Sequence, residues 1–431
     1  MAAEQAAPSP AEPRGEQAAV EFDPYSDVFF DDPYETYRRL RDEAPVYHSE
    51  RWDFYALSRY EDVVAAHRDW ETFSSAYGVT LDGLMVRQKL DTNMMIITDP
   101  PEHDRLRKLV RQVFTRRAIA DLEPLVAGVI AEVVSVLDGR DRLDLVADFG
   151  ALFPVEVICS MLGVPAGERQ QIRLWTDEFL HREKNNPSIT NAGLTASIEM
   201  YQYTLDLTRQ KRREPDDLII SRLVEATYEE DGVTHRLTDE DIASFVVLIA
   251  SAGSETVTKL IGNGAIAFAD HPDQWGLVLA DPGRIPGAVE EILRLLPPSQ
   301  YQGRFATRDV ILHGQTIPAG SPTLLITGAA TRDPRAYDRP EVFDITRTGA
   351  TTVAFGYGAH SCLGAWLARL ESRLAFEHIA DLVARVRVPA GPRAGRDLHA
   401  GDHRFTSRNR DVGLQQEGAR EAAGLREKQA G

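Results

Sequence analysis

The chain has 431 residues, 43% of them hydrophobic, enough to bury a sizeable core. Its formal net charge of −18 keeps it soluble and disfavours nucleic acid, whose phosphates need Lys and Arg. Two cysteines, Cys159 and Cys362, exclude a disulfide framework and fit a reducing compartment.

In chain order, residues 1–20 read as a flexible leader rich in Ala, Glu and Pro, without the apolar run of a signal or anchor. No later stretch reads as long and uncharged enough to span a bilayer, so a cytoplasmic protein is expected. Residues 21–414 read as one folded unit with no repeat or linker, and 415–431 as a flexible, polar tail. Pro33–Ala44 has helical spacing. Val46–His48 and Phe54–Leu57 carry aromatic and β-branched residues and read as paired strands. Tyr60–His67 is again helical, and Ser74–Pro101 is a long loop, which in a compact domain is usually functional. His103–Lys259 is mostly helical. Within it, Asp239 is a plausible N-cap for a buried helix that carries Ile242, Phe245, Val246 and Ile249. After Pro297 short strands return at Val310–Leu312, Thr316–Ile317 and Thr323–Ile326, then a helix over Ala365–Val383. The class is mainly α with a minor β part.

The strongest chemical signal is Phe355-Gly-Tyr-Gly-Ala-His-Ser-Cys362-Leu-Gly364, a cysteine in a glycine-rich loop just before a helix. Gly356, Gly358 and Gly364 allow a tight turn and close approach to a flat group. The amides after Cys362 and the helix N-terminus favour thiolate. One cysteine without a CxxC is a poor zinc site but a good axial ligand for haem iron. From the residues alone, a buried structural cysteine stays open.

A second signal is Glu291-Ile-Leu-Arg294, a pair on one helix face in an apolar context. A third is Ala252-Gly253-Ser254-Glu255-Thr256 inside the buried helix. Glycine, acid and hydroxyl are costly there, so a local break with a pocket is expected. A Ser/Thr packing seam is the other reading of these residues.

Taken together, these motifs resemble the cytochrome P450 family, over Asp23 to Leu414. The resemblance implies that family's single-domain fold, with haem b between the long central helix and the cysteine loop. It implies Cys362 as the iron ligand, Thr256 and Glu255 as the alcohol–acid pair that delivers protons, and Glu291, Arg294 and Arg347 as a structural ion-pair triad. His103, Arg107, Arg304 and His360 match positions that hold haem propionates, and Phe355, Gly356, Gly364 and Ala252 match others that line the cofactor. Cys159 reads as core packing. Leu84, Met85, Met94, Met95, Leu248, Ala252, Pro298 and Phe405 are candidates for the substrate pocket.

The implied reaction inserts one atom of O2 into a C–H bond of a medium-sized apolar molecule such as a terpenoid, steroid, polyketide or fatty acid. Electrons are expected from a ferredoxin with an NAD(P)H-dependent reductase. The basic run Arg107–Arg117, with Arg369 and Arg373, is its expected docking face on a monomer. Desaturation or coupling, a haem sensor without turnover, and peroxide-driven chemistry are the alternatives; Glu255 and Thr256 argue against the last.

Overall fold

The computed structural model describes residues 19–90, 94–137, 144–183, 186, 188–230, 232–349 and 352–385. Most of the leader, all of the tail and Phe405 lie outside them. Strands β1 (Val46–Ser49) and β2 (Phe54–Leu57) pair antiparallel, Val46 opposite Leu57, as their residue types predict. Helix α1 (Tyr60–Arg68) buries Val63, Ala66 and His67 on one face. Its acids Glu61 and Asp62 stand in the first turn and its basic residues in the last, which suits the helix dipole. Strand β3 (Phe73–Ser74) leads into the expected long loop, which is not featureless: it holds helical turns at Leu81–Met85 and Met95–Ile97.

Helix α2 (Glu102–Val110) buries His103 and Val110. Helix α3 (Phe153–Leu162) is apolar nearly all round and buries Cys159. Gly163, left-handed at φ +88°, ends it by closing on the Cys159 carbonyl at 3.0 Å. Helices α4 (Arg169–Leu180) and α5 (Asn191–Arg213) follow. A hairpin of β4 (Thr227–Glu230) and β5 (Val233–Arg236) then interrupts the expected run of helix. Its Thr, Tyr and Val residues on either side of a left-handed Gly232 are a hairpin signal that helical periodicity hid.

Helix α6 (Asp239–Asp270) is the longest among the described residues and packs against α3, α4, α5 and later helices. Its N-cap is Thr238, one residue before the expected Asp239. Thr238 Oγ1 accepts from the Asp241 amide at 3.1 Å, and the Asp241 carboxylate accepts from the Thr238 amide at 2.9 Å. The expected break over Ala252–Thr256 is absent: α6 runs on uninterrupted. Its hydroxyls are satisfied without one, because Ser254 donates to the Ala250 carbonyl at 2.9 Å and Thr256 to that of Ala252 at 2.8 Å. Two segments, α6 and Leu145–Leu162, are in fact apolar and long enough to cross a membrane, contrary to expectation. More than half of each is buried inside the protein, 56% and 61%, as befits core segments.

Helix α7 (Ile285–Leu295) precedes β6 (Gln302–Ala306), the hairpin β7 (Val310–Leu312) and β8 (Gln315–Ile317), and β9 (Pro322–Leu325). The main sheet has the order β1-β2-β9-β6-β3, antiparallel except for β2 against β9. Helix α8 (Ala365–Arg385) follows the cysteine loop and packs on α6 and α7. The chemistry-bearing residues thus sit where α6, α2, α1, β6 and the cysteine loop converge.

Candidate active site

The cysteine loop turns through left-handed Gly356 and Gly358, φ +67° and +68°, a region that favours glycine. The Cys362 amide closes the loop onto the Phe355 carbonyl at 2.8 Å. The Gly364 amide donates to the Cys362 sulfur, and Arg107 and Arg369 place positive charge nearby. All three favour thiolate, as the sequence implies, while burial acts in the opposite direction and raises the thiol's pKa. Coordination to a metal would deprotonate it.

Cys362 is buried enough to shift its pKa and yet has an exposed surface. A sulfur that faces an internal space satisfies both. Within α6, Ala252 and Thr256 are likewise exposed although the helix around them is largely buried, and they stand one turn apart on one face. Cys159, by contrast, lies fully in apolar core with its thiol pushed up to about 12 by burial.

Beside this space five basic side chains gather. Arg107 donates to the Ser361 carbonyl at 2.7 Å. Arg304 on β6 is buried and donates to the Gly303 carbonyl at 2.7 Å; burial lowers its pKa to about 10. The His103 and His360 rings lie 4.2 Å apart, and His103 Nδ1 is 3.0 Å from Asp104. Burial holds both imidazoles neutral, His360 at about 2 with Arg304, His103, Arg107 and His67 adding to the effect. His67 on α1 completes the group; burial and then Arg304 lower it to about 3. Nε2 of His67, His103 and His360 is buried without a hydrogen-bond partner. A buried polar atom left unpaired costs about 1–3 kcal/mol, so this cluster fits an anionic group from outside the chain. Donors for two carboxylates beside a soft sulfur ligand suit haem and its propionates.

The Glu291 triad is assembled as expected. Glu291 accepts from Arg294 Nε and Nη2, both at 2.8 Å, and from Arg347 Nε at 3.1 Å. These bonds fasten α7 to the segment 331–347.

Glu255 on α6 pairs with Lys259 at 2.7 Å. Thr176 on α4 meets Ser251 at 3.4 Å, and its neighbour Asp177 has a carboxyl pushed up to about 6 by burial, with the Glu255 charge adding to it. A cavity of about 430 Å³ is lined by Glu255, Thr256, Lys259, Pro298, Arg304 and His360 among others. Of the other pocket candidates, Leu84 is fully buried against Gly303, Met95 lies in the core and Met85 faces outward. Met94 is half-buried, and Leu248 packs against the helical core. The aromatic wall, Tyr25, Phe29, Phe30 and Tyr301, was not foreseen, though FDPYSDVFF is a dense aromatic run. Nor was His67.

Residues 285–380 match the family model described as Cytochrome P450. A protein of Mycobacterium tuberculosis strain H37Rv, named for cytochrome P450 123, is 41% identical over 367 residues, 85% of this chain and 90% of its own. The vitamin D(3) 25-hydroxylase of Pseudonocardia autotrophica is 39% identical over 82% of this chain and 87% of its own. The crystal structure of CYP109E1 from Bacillus megaterium with corticosterone superposes with a TM-score of 0.73 at 31% identity, covering 83% of this chain and 91% of that one. The chain therefore belongs to the cytochrome P450 family of haem-thiolate monooxygenases, whose cofactor is haem b on an axial cysteine thiolate and which use O2 and redox partners.

Proposed function

We propose that this chain hydroxylates a medium-sized apolar molecule of the terpenoid, steroid, polyketide or fatty-acid kind, with Cys362 as the axial ligand. The observation that carries this reading is a cavity lined by Glu255, Thr256, Arg304 and His360, the last of these lying two residues before Cys362, beside a cluster of buried ring nitrogens without hydrogen-bond partners. The names of its relatives, a vitamin D(3) hydroxylase and a corticosterone complex, support large apolar substrates.

The haem, when bound, supplies reductive activation of dioxygen. His103, Arg107, Arg304 and His360 would hold its carboxylates, and the Gly364 amide would steady the coordinated sulfur. Phe355, Gly356, Gly364 and Ala252 would line it. Thr256 holds a proton at Oγ1, which now points to the Ala252 carbonyl and reaches the space by rotation about χ1. Glu255, ion-paired to Lys259 at the cavity wall, is placed to replace that proton from solvent. The aromatic wall keeps bulk water from the reacting carbon.

Electrons would come from a ferredoxin and an NAD(P)H-dependent reductase, docking where Arg111, Arg116 and Arg117 are exposed. Exposed Trp366 lies there under Arg116, 5.3 Å from ring centre to guanidinium. Arg369 and Arg373 contribute less net charge, because Glu290 and Glu123 pair with them at 3.0 and 2.8 Å. The acidic surface, net charge −18, supports a cytoplasmic monomer.

The test is the carbon monoxide difference spectrum of the reduced protein. Wild type and Cys159→Ser should give the long-wavelength band of a thiolate-ligated carbonyl, and Cys362→Ala should lose it. A folded, haem-supplied protein without a haem spectrum would overturn the reading. Arg116→Glu should slow reduction by ferredoxin and weaken its salt dependence; unchanged rates would remove that face as the docking site.

A further inference from the structure

His67 sits on α1, outside every motif of the sequence, yet its ring meets the core of the site. Arg304 Nη2 approaches His67 Nδ1 at 3.4 Å. A guanidinium is always charged and can only donate, so Nδ1 is the acceptor. A neutral imidazole with an accepting Nδ1 carries its proton on Nε2. The ring is neutral at any physiological pH, since burial and the Arg304 charge hold its pKa at about 3. Nε2 is therefore an N–H donor, and it is buried without a partner. Gln302 also lies within reach of the ring, and its Oε1 already accepts from Thr327 at 2.5 Å.

The location matters as much as the proton. His67 Cε1 lies 3.7 Å from where a Cβ on Gly356 would stand, and its carbonyl lies 2.7 Å from the equivalent point on Gly358. Both glycines belong to the cysteine loop, and any side chain at Gly358 would collide with α1. The charge of Arg304 acts on both His67 and His360, and His67 itself acts on His360. His67 thus belongs to the same cluster as the four propionate candidates, and its contact with Arg304 makes its unpartnered Nε2 a donor while the ring is neutral. His103 is the contrast: Nδ1 donates to Asp104, so its Nε2 can donate to a carboxylate only when the ring takes up a second proton.

We propose that His67 is a fifth haem-carboxylate residue, accepting from Arg304 through Nδ1 and donating from Nε2 to the propionate beside it. This rests on the haem reading above, and the two fail differently. Because His67 donates as a neutral group, it binds without adding charge to an already cationic cluster, and its contribution stays constant across neutral pH.

The experiment uses the holoenzyme in its diamagnetic ferrous carbonyl form. Nitrogen-15 imidazole spectra should show His67 as the Nε2–H tautomer, with a downfield, slowly exchanging proton. Haem transfer to apomyoglobin should be about 10-fold faster in His67→Phe and within about 3-fold of wild type in His67→Gln, whose amide replaces the lost donor. The ferric–ferrous potential should move in His67→Phe and return in His67→Gln. An Nδ1–H tautomer, or a His67→Phe variant that keeps both haem and potential, overturns the proposal. Should His67→Phe not fold, the wild-type tautomer and His67→Gln still decide it. A wild type with no haem spectrum would instead overturn the cofactor reading.

Discussion

The protein holds two buried charged clusters, one around Glu291 and one around Arg304, and they are built on opposite principles. The Glu291 cluster is closed. All five N–H groups of Arg294 have acceptors: Glu291 twice, and the carbonyls of Thr331, Pro340 and Val342. Arg347 donates to Glu291 and to the carbonyls of Asp338, Arg339 and Val342. The cluster of His67, His103, His360, Arg107 and Arg304 is open: three ring nitrogens are buried without partners, and the basic groups are shifted toward their neutral forms by burial. A closed polar network holds a fold together, whereas an open one is complete only with a ligand.

The largest effect should come from breaking the closed cluster. Glu291→Ala leaves Arg294 and Arg347 without their shared acceptor, and Arg294 is buried to 2% exposure. Removing one partner of such a pair costs about 3–5 kcal/mol. Urea unfolding should show that loss with haem and without it. A loss seen only in the haem-loaded protein would mean that Glu291 serves the cofactor, and the comparison would collapse.

How far the sequence disclosed these two clusters follows from chain distance. Glu291 and Arg294 are three residues apart on one helix, and the cysteine loop spans ten residues, so local pattern exposes both. The paired strands at 46–57 and 310–317 are short-range in the same way. His67 and Arg304 are 237 residues apart, and VVAAHRDW reads as an ordinary amphipathic helix. The pocket was harder still. An apolar residue in a loop can line a cavity or fill a core, and composition does not choose between them: Leu84 and Met95 went to the core, and Tyr25 and Phe29 supplied the wall. The expected break in α6 failed for a local reason, since Ser and Thr can satisfy their hydroxyls on the preceding turn.

Acid should separate the clusters next. His67 and His360 have folded pKa values of about 3 and about 2, against 6.5 unprotected. Between those limits the unfolded chain binds protons that the folded chain refuses, so stability is present above about pH 6.5 and is lost as pH falls below it. The haem-free protein should lose about 2–4 kcal/mol more between pH 7 and pH 5 than a His67→Phe/His360→Phe double variant. Loading with haem should shallow the slope, because carboxylates beside the imidazoles favour their charged forms. Equal slopes with and without haem would mean that no anion sits there.

The smallest effect is the most discriminating, because its sign reverses with the ligand. Arg304 stays charged at neutral pH, since even its lowered pKa is about 10, and it is buried at 4% exposure. Among the described residues its hydrogen-bond partners are the Gly303 carbonyl and His67, and the Asp99 charge offsets only part of its burial. Without an anion, that charge is a cost which an apolar side chain of similar length removes. Arg304→Met should therefore stabilise the haem-free protein by about 1–2 kcal/mol. In the haem-loaded protein the same substitution removes a charge-assisted bond and should speed haem loss by about 10-fold or more. The corresponding change in the closed cluster, Arg294→Met, should destabilise both forms, because its five acceptors are all within the chain. If Arg304→Met destabilised both forms as well, Arg304 would be a structural arginine like Arg294, and the open cluster would not be a ligand site.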